Sequence, residues 1–335
     1  MKVLVTGASG FLGRAVARRL AARGHALRLL ARDPHRLGEL PEGAETAAGD
    51  VTDAVSFARA AEGCAAVVHL AALVKLWVPD PERFEATNLG GFQNALAAAR
   101  AAGARLVYTS SFIALGPSGP GELDASRPHP GPPFRNHYER TKALADAAAR
   151  EAAARGEDVV ILYPGVVYGP GEMTEGNLVA RMVADHLNGR LPGLVGPGDR
   201  RWSYAFVEDV AEGHALALEK GKPGDRFVLG GENATLTRFF ALVQELAGQP
   251  PPRLRIPYAV ASVVGRAQWL WAELTGHPPQ LTHGEVGVFR EEWACDSSKA
   301  VRELGYEWRP LAEGLRETLR WLRATGQVDP RGSAT

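Results

Sequence analysis

Three glycines, at positions 7, 10 and 13, constrain this chain more than any other feature. They stand where the apolar run Lys2 to Thr6 gives way to a helical pattern in MKVLVTGASGFLGRAVARRL. Met1 to Val5 is too short for the apolar core of a secretory signal, and no cleavage pattern follows, so the run is expected as the first strand of a soluble domain. A turn between strand and helix leaves backbone N–H groups at the positive end of the helix, which suits a pyrophosphate. Glycine lets the backbone approach such a ligand and lets the helix pack closely on the strand. The spacing differs from the tighter first interval of the commonest dinucleotide fingerprint, so a plain tight turn is the other reading. On the ligand reading, Gly7, Ser9, Gly10, Phe11, Leu12 and Gly13 form the phosphate cradle.

The rest of the chain fits a large α/β protein. Its 335 residues are 45% hydrophobic, enough for a substantial core. The 38 basic and 38 acidic residues cancel, so no overall field concentrates nucleic acid or an anionic surface, and a small-molecule partner is expected. Cys64 and Cys295 lack the paired spacing of a zinc site or redox dithiol; no metal is expected, and a reducing cytoplasm fits. No apolar run approaches the roughly 20 residues of a membrane helix, so no membrane insertion is expected.

Strand-like runs (2–6, 26–31, 66–70, 105–109, 159–163) alternate with Ala-rich helical stretches (15–23, 55–61, 89–102, 138–155). This alternation predicts a doubly wound parallel sheet with helices on both faces. The first domain is expected over 1–165, with 204–230 also returning to it. Residues 166–203 and 231–325 are expected to form a smaller, mainly helical substrate lobe, with 326–335 as a tail. The Pro/Gly-rich stretch 116–133 reads as a long surface loop. Trp269 and Trp271 lie on an apolar helix, read as core packing, with a pocket wall as the alternative.

The second strand should end near an adenosine ribose, where an acidic side chain selects NAD. Here Ala31 and Arg32 stand at that edge. Arg32, with Arg36, offers a charge-assisted partner for a 2′-phosphate, which favours NADP; a solvated Arg32 beside a site that takes NAD is the alternative. Asp50 and Val51, after the third strand, are candidates for the adenine edge and face, Asp50 equally for a helix cap. Leu70, Ala71 and Ala72 close the fourth strand and let a dinucleotide lie against the backbone. His69 is given no chemical role.

Tyr138 and Lys142, in HYERTKALAD, are four apart on a helical pattern and share a face. An ammonium beside a tyrosine favours its phenolate and equips it for proton transfer; an ordinary exposed helix pair is the other reading. In RLVYTSSFIALG, Ser111, with Ser110 the lesser choice, stands at the carboxyl edge of the sheet, where a hydroxyl can orient a substrate oxygen; a turn cap is the other reading.

In order, TGASGFLG, GDVTD, HLAA, YTSS and Tyr138-x-x-x-Lys142 resemble the extended short-chain dehydrogenase/reductase family, which includes NAD-dependent epimerases and dehydratases. YPGVVYGPG, YAFVEDVAEGHALALE and DSSKAVRELGY extend the resemblance over nearly the whole chain. It implies an NAD(P)-binding Rossmann fold and an oxidoreductase, with Tyr138 as acid/base, Lys142 on the nicotinamide ribose, and Ser111 on the substrate oxygen. It also implies Tyr163 and Pro164 beside the nicotinamide, Asn88 as a brace, Asn177 on the substrate side or as a helix cap, and a homodimer. The ARDP turn and YTSSFIALG look most like the dihydroflavonol-reductase-like branch. LVKLWVPDPERF and NGRLPG look closer still to farnesol-dehydrogenase-like and hopanoid-associated sugar epimerase-like proteins, and in the former a similar basic turn accompanies NAD use. Glu291 and Glu292 follow Arg290 where sugar-nucleotide enzymes usually carry Gly-Asp, and would oppose a diphosphate. The reading is an alcohol/carbonyl oxidoreductase using NADP, NAD being possible, with a nucleotide-sugar epimerase as the alternative.

Overall fold

The computed structural model describes residues 1–328; residues 329–335 of the expected tail lie outside the described residues. In chain order the strands are β1 (Lys2–Thr6), β2 (Ala26–Ala31), β3 (Glu45–Ala48), β4 (Ala66–His69), β5 (Arg105–Thr109) and β6 (Val159–Pro164). There follow β7 (Val166–Tyr168), β8 (Leu194–Val195), β9 (Arg201–Phe206), β10 (Arg226–Leu229), β11 (Glu232–Thr235) and β12 (Arg255–Ile256). Seven of them form a parallel sheet in the order β10-β6-β5-β4-β1-β2-β3, the doubly wound α/β architecture that the alternating pattern predicts. Its central strands read as continuous apolar runs because helices cover both faces: Val3, Leu4 and Val5 of β1 and Val159 to Leu162 of β6 are buried throughout.

Strand order reverses between β1 and β4, and ligands in open α/β sheets bind at such a switch point, outside the carboxyl ends of the strands. Helix Val207–Lys220 packs on helix Phe11–Ala22 and leads to β10, which adds to the sheet beside β6. Tyr204 to Phe206 instead belong to a small second sheet, β11-β9-β7. The loop 116–133 is stitched down: Ser118 N–H donates to the Glu292 carbonyl, and Leu123 N–H to that of Ala294.

One helix departs from expectation. Tyr258–Thr275 buries only small residues, Ala261, Gly265 and Ala272. Trp271 is exposed, and Trp269 sits at the rim, edge-on to His283. The core role read for the two tryptophans is therefore wrong. The backbone of Thr282 and His283 passes so close to Gly265 that a Cβ there would lie 2.7 Å from it, so only a small-residue face can meet it. The bulky side chains of the helix must point away.

Candidate active site

The first turn of helix Phe11–Ala22 starts at Gly10, has no side-chain cap and carries no acidic residue, so its N–H groups remain available to an anion. Gly7 has φ +73°, in the left-handed region, and a Cβ there would meet Ala71 N at 2.8 Å. A Cβ on Gly13 would lie 2.0 Å from the Gly7 carbonyl oxygen. The three glycines and the end of β4 thus form a closely packed cradle that side chains would fill, which fits a dinucleotide pyrophosphate. Ser9 is exposed at its lip, Phe11 is buried and Leu12 partly so. The Thr6 hydroxyl bonds His69 Nδ1 (2.9 Å) and accepts from Ala71 N–H (3.2 Å), fixing the Leu70 to Ala72 turn. Burial lowers His69 to about 3, so it stays neutral and structural. Gly13→Ala should abolish dinucleotide binding in a fluorescence titration and lower stability by about 1–3 kcal/mol, since both clashing groups are backbone.

At the adenosine end, Arg32 is exposed with no ion-pair partner among the described residues. The Asp33 carboxylate accepts from His35 N–H (3.1 Å) and faces Arg36 Nε (3.5 Å). It is occupied as a turn cap. Asp50 accepts from Thr52 N–H and Oγ1, both at 2.9 Å, whereas Asp53 caps the next helix; the capping reading of Asp50 is thus excluded. The Val51 carbonyl is held by Asn94 Nδ2 at 2.9 Å. Arg14, absent from the residues expected at the site, spans from the glycine turn towards the carbonyl of Arg36 (3.4 Å) and pairs with Glu172 at 2.8 Å. Nothing in its local sequence separates it from the other arginines of that helix.

Helix His137–Ala154 begins at Asn136, whose side chain accepts from Glu139 N–H (2.8 Å). Tyr138, Lys142, Asp146 and Arg150 follow at four-residue steps down one face. Lys142 Nζ is buried and donates to the Thr109 carbonyl at 2.9 Å, at the end of β5. Ser111 follows two residues later, and its Oγ accepts from Ile113 N–H at 3.4 Å, so the cap reading is met. Its hydroxyl lies near enough to the partly buried Tyr138 to favour the phenolate. Burial pushes Tyr138 up to about 12, against the Ser111 hydroxyl, and pushes Lys142 down to about 7, against the pull of Asp146. The chain alone thus keeps Tyr138 neutral near neutrality and leaves Lys142 only partly charged.

Two buried networks support this helix. The Tyr163 hydroxyl donates to Asp146 (2.7 Å), and Arg150 Nε donates to the same carboxylate (2.6 Å). The Tyr163 ring is thus committed under the helix, leaving the backbone of this strand end and Pro164 to face a cofactor. Glu139, fully buried, accepts from His129 (3.2 Å) and from Arg135 N and Nη1 (2.6 Å each); burial opposes its ionisation, but these bonds hold it below the ordinary carboxylate value. The Asn-x-x-Glu spacing of a capping box was the available signal, although Glu139 reaches Arg135 rather than Asn136. Asn88 braces the Leu73 backbone and the Thr141 hydroxyl. Asn177 occupies a cap position without making a cap bond. Its Nδ2 donates to the Gly169 carbonyl at 3.0 Å, and its buried Oδ1 has no partner among the described residues.

Beyond Ser111 the packing is aromatic, and Trp293 is fully buried. Phe112 meets Trp293 edge-on at 5.4 Å, and Trp202 stacks on Phe289 at 5.2 Å. The nearby cations are committed: Arg135 to Glu139 and Glu291, Arg201 to Glu292 at 3.1 Å, and Arg290 over the Tyr258 ring. Glu291 and Glu292, expected to repel a diphosphate directly, are therefore paired. Neither engages Arg290, whose guanidinium lies over the Tyr258 ring.

Residues 3–230 match the family model described as the NAD dependent epimerase/dehydratase family. A Synechocystis sp. protein with the provisional name dihydroflavonol 4-reductase is 32% identical, over 97% of this chain and 95% of its own. The 2-alkyl-3-oxoalkanoate reductase of Stenotrophomonas maltophilia is 31% identical, over 94% of this chain and 98% of its own. Among solved structures, the Thermus thermophilus UDP-glucose 4-epimerase complex with NAD superposes with a TM-score of 0.74. It is 26% identical, covering 96% of this chain and 99% of that one.

Proposed function

Because the chain belongs to the NAD dependent epimerase/dehydratase family, an NAD(P)-dependent family with named reductases among its relatives, we propose that it reduces a carbonyl on an apolar small molecule to an alcohol, or runs the reverse. The observation that carries this reading is the convergence of Tyr138, Ser111 and Lys142 at the carboxyl end of β5. A bound nicotinamide cofactor would supply or take up the hydride. The Gly7 to Gly13 cradle, with Leu70 to Ala72, would hold its pyrophosphate. Ser111 orients the substrate oxygen. Tyr138, raised to about 12, is protonated throughout the neutral range and so is poised to donate its proton as the substrate oxygen gains charge. Lys142 binds the nicotinamide ribose and, charged, eases release of that proton. Asn177 Oδ1 is the unpartnered acceptor on the substrate side.

Glu291 and Glu292 beside Arg290, in place of Gly-Asp, support an apolar substrate over a sugar nucleotide. The epimerase alternative rests on neighbours such as the Thermus structure. NADP is preferred on this reading because Asp33 is occupied and Arg32 is free. Arg32→Ala should lower the NADP-to-NAD ratio of kcat/KM by about tenfold or more, the worth of a charge-assisted bond. An unchanged ratio would mean that Arg32 plays no part in cofactor choice.

A further inference from the structure

Helix Tyr258–Thr275 is turned inside out. Its inner stripe is Ala261, Gly265 and Ala272, while Val260, Val263, Val264, Leu270, Trp271 and Leu274 face outward, Val263 69%, Trp271 64% and Leu274 83% exposed. These six lie at helical spacings on one continuous face. Val74 and Leu76, also exposed, extend the patch from the loop that follows the Ala71–Ala72 turn, and Trp77 in that loop donates to Glu273 at 2.7 Å. Large apolar groups gathered in this way mark an interaction surface rather than scattered exposure.

The charges around the patch identify its occupant. The helix has two, Arg266 and Glu273, side by side on one flank. Glu273 is engaged by Trp77, while Arg266, and Arg253 just before the helix, are exposed with no acidic partner among the described residues. An apolar face with unpaired cations at its margin complements the boundary of an anionic bilayer, where apolar side chains enter the acyl region and cations meet headgroups. A two-fold pairing with a second copy, centred on Ala267, would instead set two Arg266 guanidiniums side by side. No helix among the described residues is long and apolar enough to cross a membrane, so the contact lies in the interface plane. We infer that this face docks the protein peripherally on anionic lipid membranes.

The test is flotation of the full chain with vesicles of phosphatidylcholine containing phosphatidylglycerol, and with phosphatidylcholine alone, at low and high salt. It uses neither substrate nor cofactor, so its result is independent of the catalytic reading. Wild type should float with the anionic vesicles, less so at high salt. Leu270→Glu with Trp271→Glu should lower the bound fraction by about tenfold or more, and Arg266→Glu should weaken binding to anionic vesicles specifically. Val55→Glu, an exposed apolar position elsewhere, should leave binding unchanged. All these positions are exposed, so the variants should fold. Failure to float, or flotation unaffected by the double variant, overturns the inference. So does a wild-type dimer that the double variant converts to monomer without vesicle binding, which would assign the face to a second copy.

Discussion

Replacing Tyr138 with Phe should lower turnover by about 10²–10⁴-fold while leaving NADP affinity within about twofold. The ring remains and packs as before, and only the hydroxyl near Ser111 is lost. The proton that must reach the substrate oxygen then has no donor on the chain at that place. Ser111→Ala, which keeps the phenol but frees the substrate oxygen to rotate, should give a smaller loss. A Phe variant that turns over at the wild-type rate would mean that the proton travels by another route.

Replacing Lys142 with Met should separate function from stability. Turnover should fall by a similar order, because both the ribose contact and the charge beside the phenol disappear. The cofactor-free protein, by contrast, should become more stable at neutral and lower pH. Lys142 is buried with one hydrogen bond, to the Thr109 carbonyl, and burial brings it down to about 7 from the ordinary lysine value of 10.5. Between these values the unfolded chain carries a proton that the folded chain lacks, so this group makes stability rise with pH across that window. Below about pH 7 both states are protonated and the full cost of the buried ammonium is present. Met lifts a cost of order a few kcal/mol there, reduced by the unpaired Thr109 carbonyl it leaves behind. Denaturant unfolding at pH 6 and at pH 10 checks this: the wild-type difference should shrink in the variant. A variant less stable than wild type at pH 6 would show that the Thr109 bond outweighs burial.

The parts of the fold legible in the sequence are those set by short-range physics. Continuous apolar runs gave β1, β2 and β5 to the residue, because strands covered on both faces need no polar alternation. The strand-to-helix turn at Gly7 to Gly13 and the shared helix face of Tyr138 and Lys142 were legible because each is a local spacing. The orientation of helix Tyr258–Thr275 was not, because an apolar helix looks the same whether its bulky face turns inward or outward. What decides is the Thr282–His283 backbone against Gly265, a contact between segments distant in sequence. The pairing of Glu291 with Arg135 and of Glu292 with Arg201 was hidden for the same reason. A linear reading could not separate carboxylates paired in this way from free ones.

On the proposed function, hydride passes between an exchangeable cofactor and an apolar substrate, rather than out of and back into one trapped molecule. Denaturing the protein as purified, and identifying any released nucleotide by chromatography, tests it most directly. The expected result is an empty site, or a small fraction of NADP that exchanges with added cofactor. Near-stoichiometric NAD that survives purification would contradict it and favour the epimerase.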